Sequence, residues 1–457
     1  MSNQQPDTAA PDNPLLAQPS WRAIAGLAVP MFAGAILQNA QSLIDLFWVG
    51  RLGSEAVAAI SLAGTLMMLL YPLIMGLATG TVALVARAFG AGDARRASFV
   101  AAQSLVLALF CGLGAGLVSL PFLEPACRLM GAEPDVVALA VRYLRINMVG
   151  FFSGTLLALA SSALQGAGNT VGPMGAMLLA NILNLVLDPL FIFGWRAIPA
   201  GGVAGAAWAT VLSQLVASGV VIALLLGGRT RLHLRPPDFI PRAAPAMQLM
   251  RIGLPSMGQM FSRSLMSLVL FRIITRYGTA VTAGYGIGMR FHMVLLMPCF
   301  VIGGAAATLV GQNLGAGQPE RARRAAWTAV AMVLAIMGAS AVVMLLWAGT
   351  AVGWFNTAPA VVAVGAGYLR TVTPFYILAG VSIVLGRAMN GAGSTVPTLV
   401  MTLIALWGLQ VPLALWLAEF FDPPVQGVWW AIAIATTVHG IMSAAWFETR
   451  RWQHAGI

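Results

Sequence analysis

Residues 202–227 read GVAGAAWATVLSQLVASGVVIALLLG and contain no Asp, Glu, Lys or Arg. About 20 apolar residues, rising 1.5 Å each in a helix, span the roughly 30 Å hydrocarbon core of a bilayer. This stretch therefore predicts a transmembrane helix, and the same pattern recurs along the chain. The predicted spans are 24–50, 58–86, 98–120, 140–162, 172–194, 202–227, 249–275, 281–311, 325–348, 361–387, 396–418 and 426–447.

The composition agrees with an all-α polytopic membrane protein of twelve transmembrane helices. Of the 457 residues, 59% are hydrophobic and 9% are charged, which is far less charge than the surface of a soluble domain carries. The net charge is +11, and all 25 cationic residues are Arg, most of them in short loops. This placement is a topology signal, so we expect no nucleic-acid partner.

Arginine clusters orient the predicted helices. Clusters follow spans two, six and eight, and the loops on the opposite side carry mainly acidic residues. Cytoplasmic loops are enriched in Arg and Lys, so we expect both termini to be cytoplasmic in a multi-pass protein of the inner (plasma) membrane. The clusters are Arg95 and Arg96; Arg229, Arg231, Arg235 and Arg242; and Arg321, Arg323 and Arg324.

The chain repeats itself. Tyr143-Leu144-Arg145 returns as Tyr368-Leu369-Arg370, and Pro30 returns as Pro255; the differences 368 − 143 and 255 − 30 both give 225. Each repeat holds six spans, so both enter the membrane from the same side and form two pseudo-symmetric six-helix lobes. Two facing bundles make a central cleft, and rocking of one against the other gives alternating access.

The repeat divides the chain into five parts. We expect a polar cytoplasmic tail, an N-terminal six-helix lobe, a basic proline-containing cytoplasmic linker, a C-terminal six-helix lobe and a second cytoplasmic tail. Their bounds are 1–20, 21–227, 228–248, 249–448 and 449–457.

Two acidic residues point to function. Of the 14 acids, only Asp45 and Asp188 fall within apolar runs. A charge at the bilayer centre costs about 2.5–3.5 kcal/mol on insertion scales, so such residues usually serve a function. Each acid belongs to a polar stripe on one helix face. The stripes are Gln38, Gln41, Ser42 and Asp45 on span one, Asn181, Asn184 and Asp188 on span five, and Thr210, Ser213 and Gln214 on span six.

If these stripes face one another, two carboxylates, an amide and a hydroxyl converge in a pocket of low dielectric. Such a pocket suits H⁺, because burial and a neighbouring carboxylate both favour protonation of an acid, or Na⁺, a hard cation that prefers oxygen ligands. The alternative is that the stripes only hold helices together. In that case Asp188, before Pro189, lies near the outer end of its helix, and Asp45 forms an interfacial ion pair with Arg51.

The second half of the chain has no acid within its apolar runs but carries several arginines. Arg263 and Arg290 lie deep within spans seven and eight and are candidates for lining the cleft. Arg272 and Arg387 lie near span ends, and we interpret them as snorkelling to the membrane surface.

Four segments resemble signatures of the multidrug and toxic compound extrusion (MATE) family, in order along the chain. They are Asp45-Leu46-Phe47-Trp48-Val49-Gly50-Arg51-Leu52-Gly53, Leu164-Gln165-Gly166-Ala167-Gly168-Asn169-Thr170, Gly205-Ala206-Ala207-Trp208-Ala209-Thr210 and Gly311-Gln312-Asn313-Leu314-Gly315-Ala316-Gly317.

The resemblance implies two six-helix lobes around a central cavity, and antiport driven by H⁺ or Na⁺. One branch of the family holds the cation in the N-terminal lobe. Its pattern falls here on Asp45, Asn184, Asp188 and Thr210, which makes these the candidate coupling residues and the candidate Na⁺ ligands. Gln38, Gln41, Ser42, Asn181 and Gln214 are candidate supporting residues. Pro30 matches a proline where bending of helix one has been proposed.

A second branch of the family places a Glu on helix seven and an Asp on helix ten. This sequence has Arg263 and Ala379 at those places, so the resemblance does not extend coupling to the C-terminal lobe.

We therefore expect a secondary antiporter, not an enzyme, that exports small amphipathic organic compounds in exchange for H⁺ or Na⁺ by rocking of two lobes. No cofactor is expected beyond the coupling ion. We expect a monomer whose partners are its small-molecule substrate and membrane lipid. The alternative is a flippase for a lipid-linked precursor with a related two-lobe fold, which would use cationic cleft residues to bind a pyrophosphate.

Overall fold

The computed structural model describes residues 13–196, 199–228 and 230–455. Most of the tail predicted at 1–20, together with Arg229 and the last two residues of the predicted C-terminal tail, lies outside the described residues. In the described part the chain is helical almost throughout, as predicted for an all-α membrane protein.

The helices of the first lobe follow a short N-terminal turn of helix, α1 (Pro14–Ala17). They are α2 (Ser20–Val49), α3 (Ser54–Met67), α4 (Tyr71–Gly90), α5 (Ala94–Ser119), α6 (Leu123–Leu129), α7 (Pro134–Val149), α8 (Phe151–Gly166), α9 (Val171–Phe193) and α10 (Val203–Leu226).

The helices of the second lobe follow a linker that contains one 3₁₀ turn, Pro236–Phe239. They are α11 (Ala243–Ile274), α12 (Thr279–Gly315), α13 (Pro319–Gly353), α14 (Pro359–Val372), α15 (Tyr376–Gly391), α16 (Val396–Leu403), α17 (Val411–Leu417) and α18 (Val425–Glu448), with a π-helical stretch, Ile404–Gln410, joining α16 to α17.

The predicted membrane spans correspond to these helices. Ten described helical stretches are long and apolar enough to cross a bilayer, and α7 with α8, bent by 47°, gives an eleventh. The remaining predicted span, 249–275, corresponds to α11, whose 32 residues are long enough to cross although Arg251, Arg263 and Arg272 lower its hydropathy.

The sequence repeat is also a repeat of helix bounds. Ser54 begins α3 and Thr279 begins α12, while Phe151 begins α8 and Tyr376 begins α15. Both pairs keep the sequence offset. In the first lobe α9 packs against α2 and α10, and in the second lobe α12 packs against α13, α14 and α15. The chain therefore folds as two similar helical lobes.

The two lobes are in close backbone contact at the end that carries the linker. A Cβ atom at Gly90, the last residue of α4, would lie 2.0 Å from the Gln312 carbonyl oxygen on α12, and one at Gly315 would lie 2.0 Å from the Arg87 carbonyl oxygen. Gln312 also donates its side-chain amide to the Gly166 carbonyl at 2.8 Å. Glycine is needed here because no side chain fits between the helices, and the lobes are therefore in direct contact at this linker end.

The linker itself docks on α5 of the first lobe through a buried carboxylate. Asp238 is 2% exposed, and the Arg95 guanidinium donates to both of its carboxylate oxygens. The Arg235 backbone N–H donates to the same carboxylate at 2.9 Å. Gln103 adds a bond from its side-chain amide to the Asp238 carbonyl at 2.6 Å. The Arg95 guanidinium holds the pKa of Asp238 below its usual range.

Asp238→Asn should lower the melting temperature of the protein at neutral pH, because the amide leaves Arg95 without its charged partner. A carboxyl whose folded pKa is depressed contributes stability that is fully present above its unfolded pKa of about 3.9 and is lost as the pH falls through the folded value. The difference in melting temperature between wild type and variant should therefore shrink in acid, as measured by fluorescence-detected melting in detergent.

The matched control for this prediction is Glu124→Gln, which removes an exposed ion pair with Arg128 on α6. Exposed ion pairs of this kind contribute little to stability, so this variant should have the same melting temperature as the wild type. An Asp238→Asn protein that also melts with the wild type at neutral pH would show that the linker is held by other contacts.

Candidate functional site

Asp45 of α2 and Asp188 of α9 meet inside the first lobe. Their carboxyl groups are neighbours, and Asn184 lies beside Asp45. Asp188 has no exposed surface, and the Asn184 side-chain amide donates to its Oδ1 at 3.3 Å. The helix spacing explains this arrangement, because Asn184 and Asp188 are four residues apart and lie on the face of α9 that packs against α2. We call Asp45, Asn184 and Asp188 the acid site.

The acid site contains more acceptors than donors. Among the described residues, Asp45 Oδ1, Asp188 Oδ2, Asn184 Oδ1 and Asn181 Oδ1 are buried and have no hydrogen-bond partner. Buried polar atoms in folded proteins are almost always paired, and an unpaired buried carboxylate is especially unfavourable. Four unpaired oxygens, two of them from carboxyl groups, form an environment that a proton or a small hard cation would neutralise.

The remaining residues of the predicted stripes take different positions. Asn181 is buried and donates to the Leu37 carbonyl of α2 at 2.6 Å, which fixes the two helices beside the acid site. Thr210 donates its hydroxyl to the Ala206 carbonyl of its own helix at 3.1 Å. Its oxygen therefore keeps free acceptor capacity, but no hydrogen bond joins it to either carboxyl group among the described residues.

Four predicted supporting residues contribute less to the acid site. Gln41 is buried, whereas Gln38 and Ser42 are exposed. The Gln214 side chain accepts from Ser153 of α8 at 3.4 Å and so faces another helix pair. The stripe on α2 is therefore only partly directed toward α9. The neighbouring Ser213 is fully buried and its hydroxyl has no partner among the described residues.

One residue near the acid site was not assigned a role from the sequence. Tyr143 of α7 is buried and lies in the neighbourhood of Asp45 and Asp188. It is the first residue of the repeated Tyr-Leu-Arg segment, so the repeat marked the position without indicating its neighbours.

A cavity lies between the lobes, with a volume of about 140 Å³. Helices α4 and α8 of the first lobe and α11, α12 and α15 of the second contribute to its wall. Two arginines, Arg263 and Arg387, line it. The other polar lining residues are Thr79, Ser162, Gln165, Ser256, Gln259, Ser382 and Asn390.

The cavity changes the interpretation of the arginines in the second lobe. Arg263, a candidate for lining the cleft, lies in the cavity wall. Arg290 is exposed on α12 and is not part of the cavity wall. Arg387 does line the wall, because α15 ends beside the interface between the lobes, so its interpretation as a snorkelling residue was wrong. The prediction from linear position failed because depth in a cleft depends on how the second lobe meets the first.

Comparison with known proteins agrees with this architecture. The MatE family model matches residues 30–190 and again residues 255–416. The probable multidrug resistance protein NorM of Bradyrhizobium diazoefficiens is 30% identical over 454 residues, covering 96% of this chain and 94% of the relative. The FAD transporter of Shewanella oneidensis is 29% identical over 427 residues, covering 93% and 94%.

A solved structure has the same fold. It is a MOP superfamily transporter from Pyrococcus furiosus. The reverse polarity of its binding pocket is described as suggesting a different function for that protein. It is 29% identical, with a TM-score of 0.86 over 95% of this chain and 97% of that one. With two matches to one family model at the two halves of its repeat, the chain belongs to the MATE family and is a membrane transporter, not an enzyme.

Proposed function

We propose that the protein is a secondary antiporter that exports small amphipathic organic compounds in exchange for H⁺ or Na⁺ bound at the acid site. The three buried, unpaired oxygen atoms of this site, one each from Asp45, Asn184 and Asp188, are the observation that carries the proposal. Interhelical polar contacts explain paired amides, but they do not explain two carboxyl groups placed together away from water.

Helix α2 provides the connection between the acid site and the lobe interface. Asp45 lies near its C-terminal end beside α9, and Pro30 lies fifteen residues earlier, about 22 Å along the helix. The next residue, Met31, reaches Gly304 of α12 in the opposite lobe. Neutralisation of Asp45 and a change at the lobe interface can therefore be linked through one helix, in which Pro30 provides a point where bending is favoured.

The contact between the lobes at the linker end suggests a direction for the cycle. If this contact closes the end, and the end is cytoplasmic as the arginine clusters predict, the described conformation faces outward. The acid site then takes up its cation from outside, and rocking of the lobes opens the linker end for substrate. The membrane potential favours inward movement of a cation by about 2.3 kcal/mol per charge per 100 mV, which can drive substrate outward.

The test is transport in proteoliposomes under separate pH and Na⁺ gradients, with fluorescein and ethidium as an anionic and a cationic probe. Wild type should accumulate at least one dye against its gradient under one of the two ion gradients, and that gradient identifies the coupling ion. Asp45→Asn should allow only equilibration. Asp135→Asn, an exposed acid in the first turn of α7, is the matched control and should transport normally.

Two results would overturn the proposal. If Asp45→Asn still accumulates dye uphill, the acid site does not couple transport. If neither gradient drives the wild type with either dye, antiport itself is wrong.

A further inference from the structure

The wall of the central cavity carries positive charge that no acidic residue of the described wall balances. Arg263 and Arg387 both line the cavity. Four ion pairs occur among the described residues, and neither arginine takes part in them. No Asp or Glu is among the described residues of the cavity wall. Two guanidinium groups held together within a membrane protein call for an anion.

The positive charge belongs to one lobe only. By the offset of the repeat, Arg263 corresponds to Gln38 and Arg387 corresponds to Ser162 in the first lobe. Ser162 lines the same cavity, so the two lobes present a neutral and a cationic wall to one space. The acids follow the opposite distribution, since Asp45 and Asp188 correspond to Leu270 and Leu413. The protein therefore separates its anionic residues in the first lobe from its cationic cavity residues in the second.

The other polar groups near the arginines are already engaged with one another. Gln259 donates to Thr402 at 3.0 Å, and Asn390 accepts from the Thr398 hydroxyl at 2.8 Å. The Ser256 hydroxyl is the exception, because it lines the cavity, is 3% exposed as a residue, and has no partner among the described residues. A hydroxyl can donate to an anion. Arg387 also stacks on Phe300, with 5.6 Å between the guanidinium carbon and the ring centroid, which keeps it in position.

We propose that this cavity binds an organic anion, whose carboxylate, sulfonate or phosphate group lies between Arg263 and Arg387 and accepts from Ser256. Guanidinium groups bind planar and tetrahedral oxyanions through paired hydrogen bonds. This inference rests on the proposed antiport function and names the substrate class for it.

The size and lining of the cavity fit such a substrate. A cavity of about 150 Å³ accommodates a benzene ring, so the present cavity of about 140 Å³ has room for an anionic group and part of the scaffold that carries it. Met75 and Met260 line the apolar part of the wall, and methionine adapts to ligands of different shape. The expected substrate is an amphipathic molecule with a charged end and an apolar body.

The experiment compares two dyes of similar shape and opposite charge. Fluorescein is anionic at mildly alkaline pH and tetramethylrhodamine methyl ester is cationic, and both have a xanthene ring that carries a phenyl group. Binding is measured by fluorescence polarisation to the full chain in phosphatidylcholine nanodiscs, with empty nanodiscs as the blank and no ion gradient. Wild type should bind fluorescein at least tenfold more tightly than the cationic dye.

Arg263→Gln and Arg387→Gln should each weaken fluorescein binding about 10- to 100-fold, the range expected for loss of one charged hydrogen-bonding partner. Arg290→Gln removes an equal charge from the same lobe at an exposed position outside the cavity wall, and it should bind as the wild type does. If a cavity variant does not fold, the preference of the wild type between the two dyes still tests the proposal.

A second arm identifies the source of the anion. Phosphatidylglycerol in the nanodisc should not displace fluorescein if the natural substrate is a water-soluble anion, whereas displacement assigns the cavity to an anionic lipid headgroup. Either result agrees with an anion site.

The proposal is overturned if the wild type prefers the cationic dye, or if Arg263→Gln and Arg387→Gln, both folded, bind fluorescein as the wild type does. Failure of the antiport proposal is a separate result. In that case fluorescein binds with the expected preference, but no ion gradient drives its transport.

Discussion

The double variant Asp45→Asn/Asp188→Asn should reach the same accumulation ratio of substrate as either single variant. A driving force equivalent to 100 mV on one cation is worth about 2.3 kcal/mol, which supports a roughly 40-fold accumulation of substrate. Each single variant should reduce this ratio to simple equilibration. Because both carboxyl groups belong to one site and lie beside the same Asn184, removal of the second acid should cause no further loss of accumulation.

The reason for this non-additivity is geometric. The two carboxyl groups are neighbours, so a cation that binds between them would be held by both. Residues that act as a unit show strongly non-additive effects, whereas independent residues show additive ones. If the acids only held α2 and α9 together, each substitution would instead lower stability by its own amount and transport would decline in steps.

The measurement is the final accumulation ratio in proteoliposomes for wild type, both single variants and the double variant, with melting temperatures recorded for all four. Asn181→Ala gives a useful contrast, because Asn181 joins the same two helices by a bond to a backbone carbonyl without supplying a carboxylate. It should lower the melting temperature and leave coupling in place. Retained accumulation in one of the two single Asp variants would show that the acids act separately.

The sequence allowed most of the fold to be predicted because its signals are local. A run such as 202–227 is long and apolar enough to identify a helix without its neighbours, and the repeat that relates Pro30 to Pro255 places both lobes. The acid site could also be predicted from the sequence. Asp45 and Asp188 stand out as charges within apolar runs, and their polar stripes indicated which helix faces would meet. In the structure α2 contacts α9 and Asn181 bonds to α2, whereas Gln38 and Ser42 of the α2 stripe are exposed.

What could not be predicted depends on how separate helices meet. Gln214 shares the stripe of Thr210 in sequence, but packing of α10 against α8 directs it toward Ser153. Arg387 was assigned to the membrane surface because it lies near the end of a predicted span, yet the close approach of the lobes places it in the cavity. The bend between α7 and α8 has no strong local signal either, since the flanking residues of Gly150 continue the apolar pattern.

The net charge moved in each cycle follows from combining the acid site with the cationic cavity. If one H⁺ or Na⁺ enters for each monovalent anion exported, two positive charges move inward per cycle. If the substrate were a monovalent cation, the exchange would move no net charge. An inside-negative membrane potential should therefore drive anion export strongly and leave one-for-one export of a monovalent cation unaffected.

The expected effect is large because both charges respond to the potential. At about 2.3 kcal/mol per charge per 100 mV, two charges supply about 4.6 kcal/mol, equivalent to an accumulation ratio of roughly 10³. Proteoliposomes clamped with valinomycin and K⁺ gradients can test this with anilinonaphthalene sulfonate as a monovalent anion and ethidium as a monovalent cation. The anion should be exported in proportion to the imposed potential, and protein-free liposomes give the correction for passive leakage.

The Arg263→Gln protein distinguishes the contribution of the coupling cation from that of the anionic substrate to the voltage dependence of transport. Its acid site is intact, so any substrate that it still carries should remain coupled to the ion gradient, while export of the sulfonate should fall with the lost affinity. Arg290→Gln should retain the full response, because its side chain lies outside the cavity wall. The charge of the substrate should contribute to the net charge moved in each cycle. A wild-type protein that exports ethidium and the sulfonate with the same dependence on membrane potential would therefore contradict charge separation between the lobes.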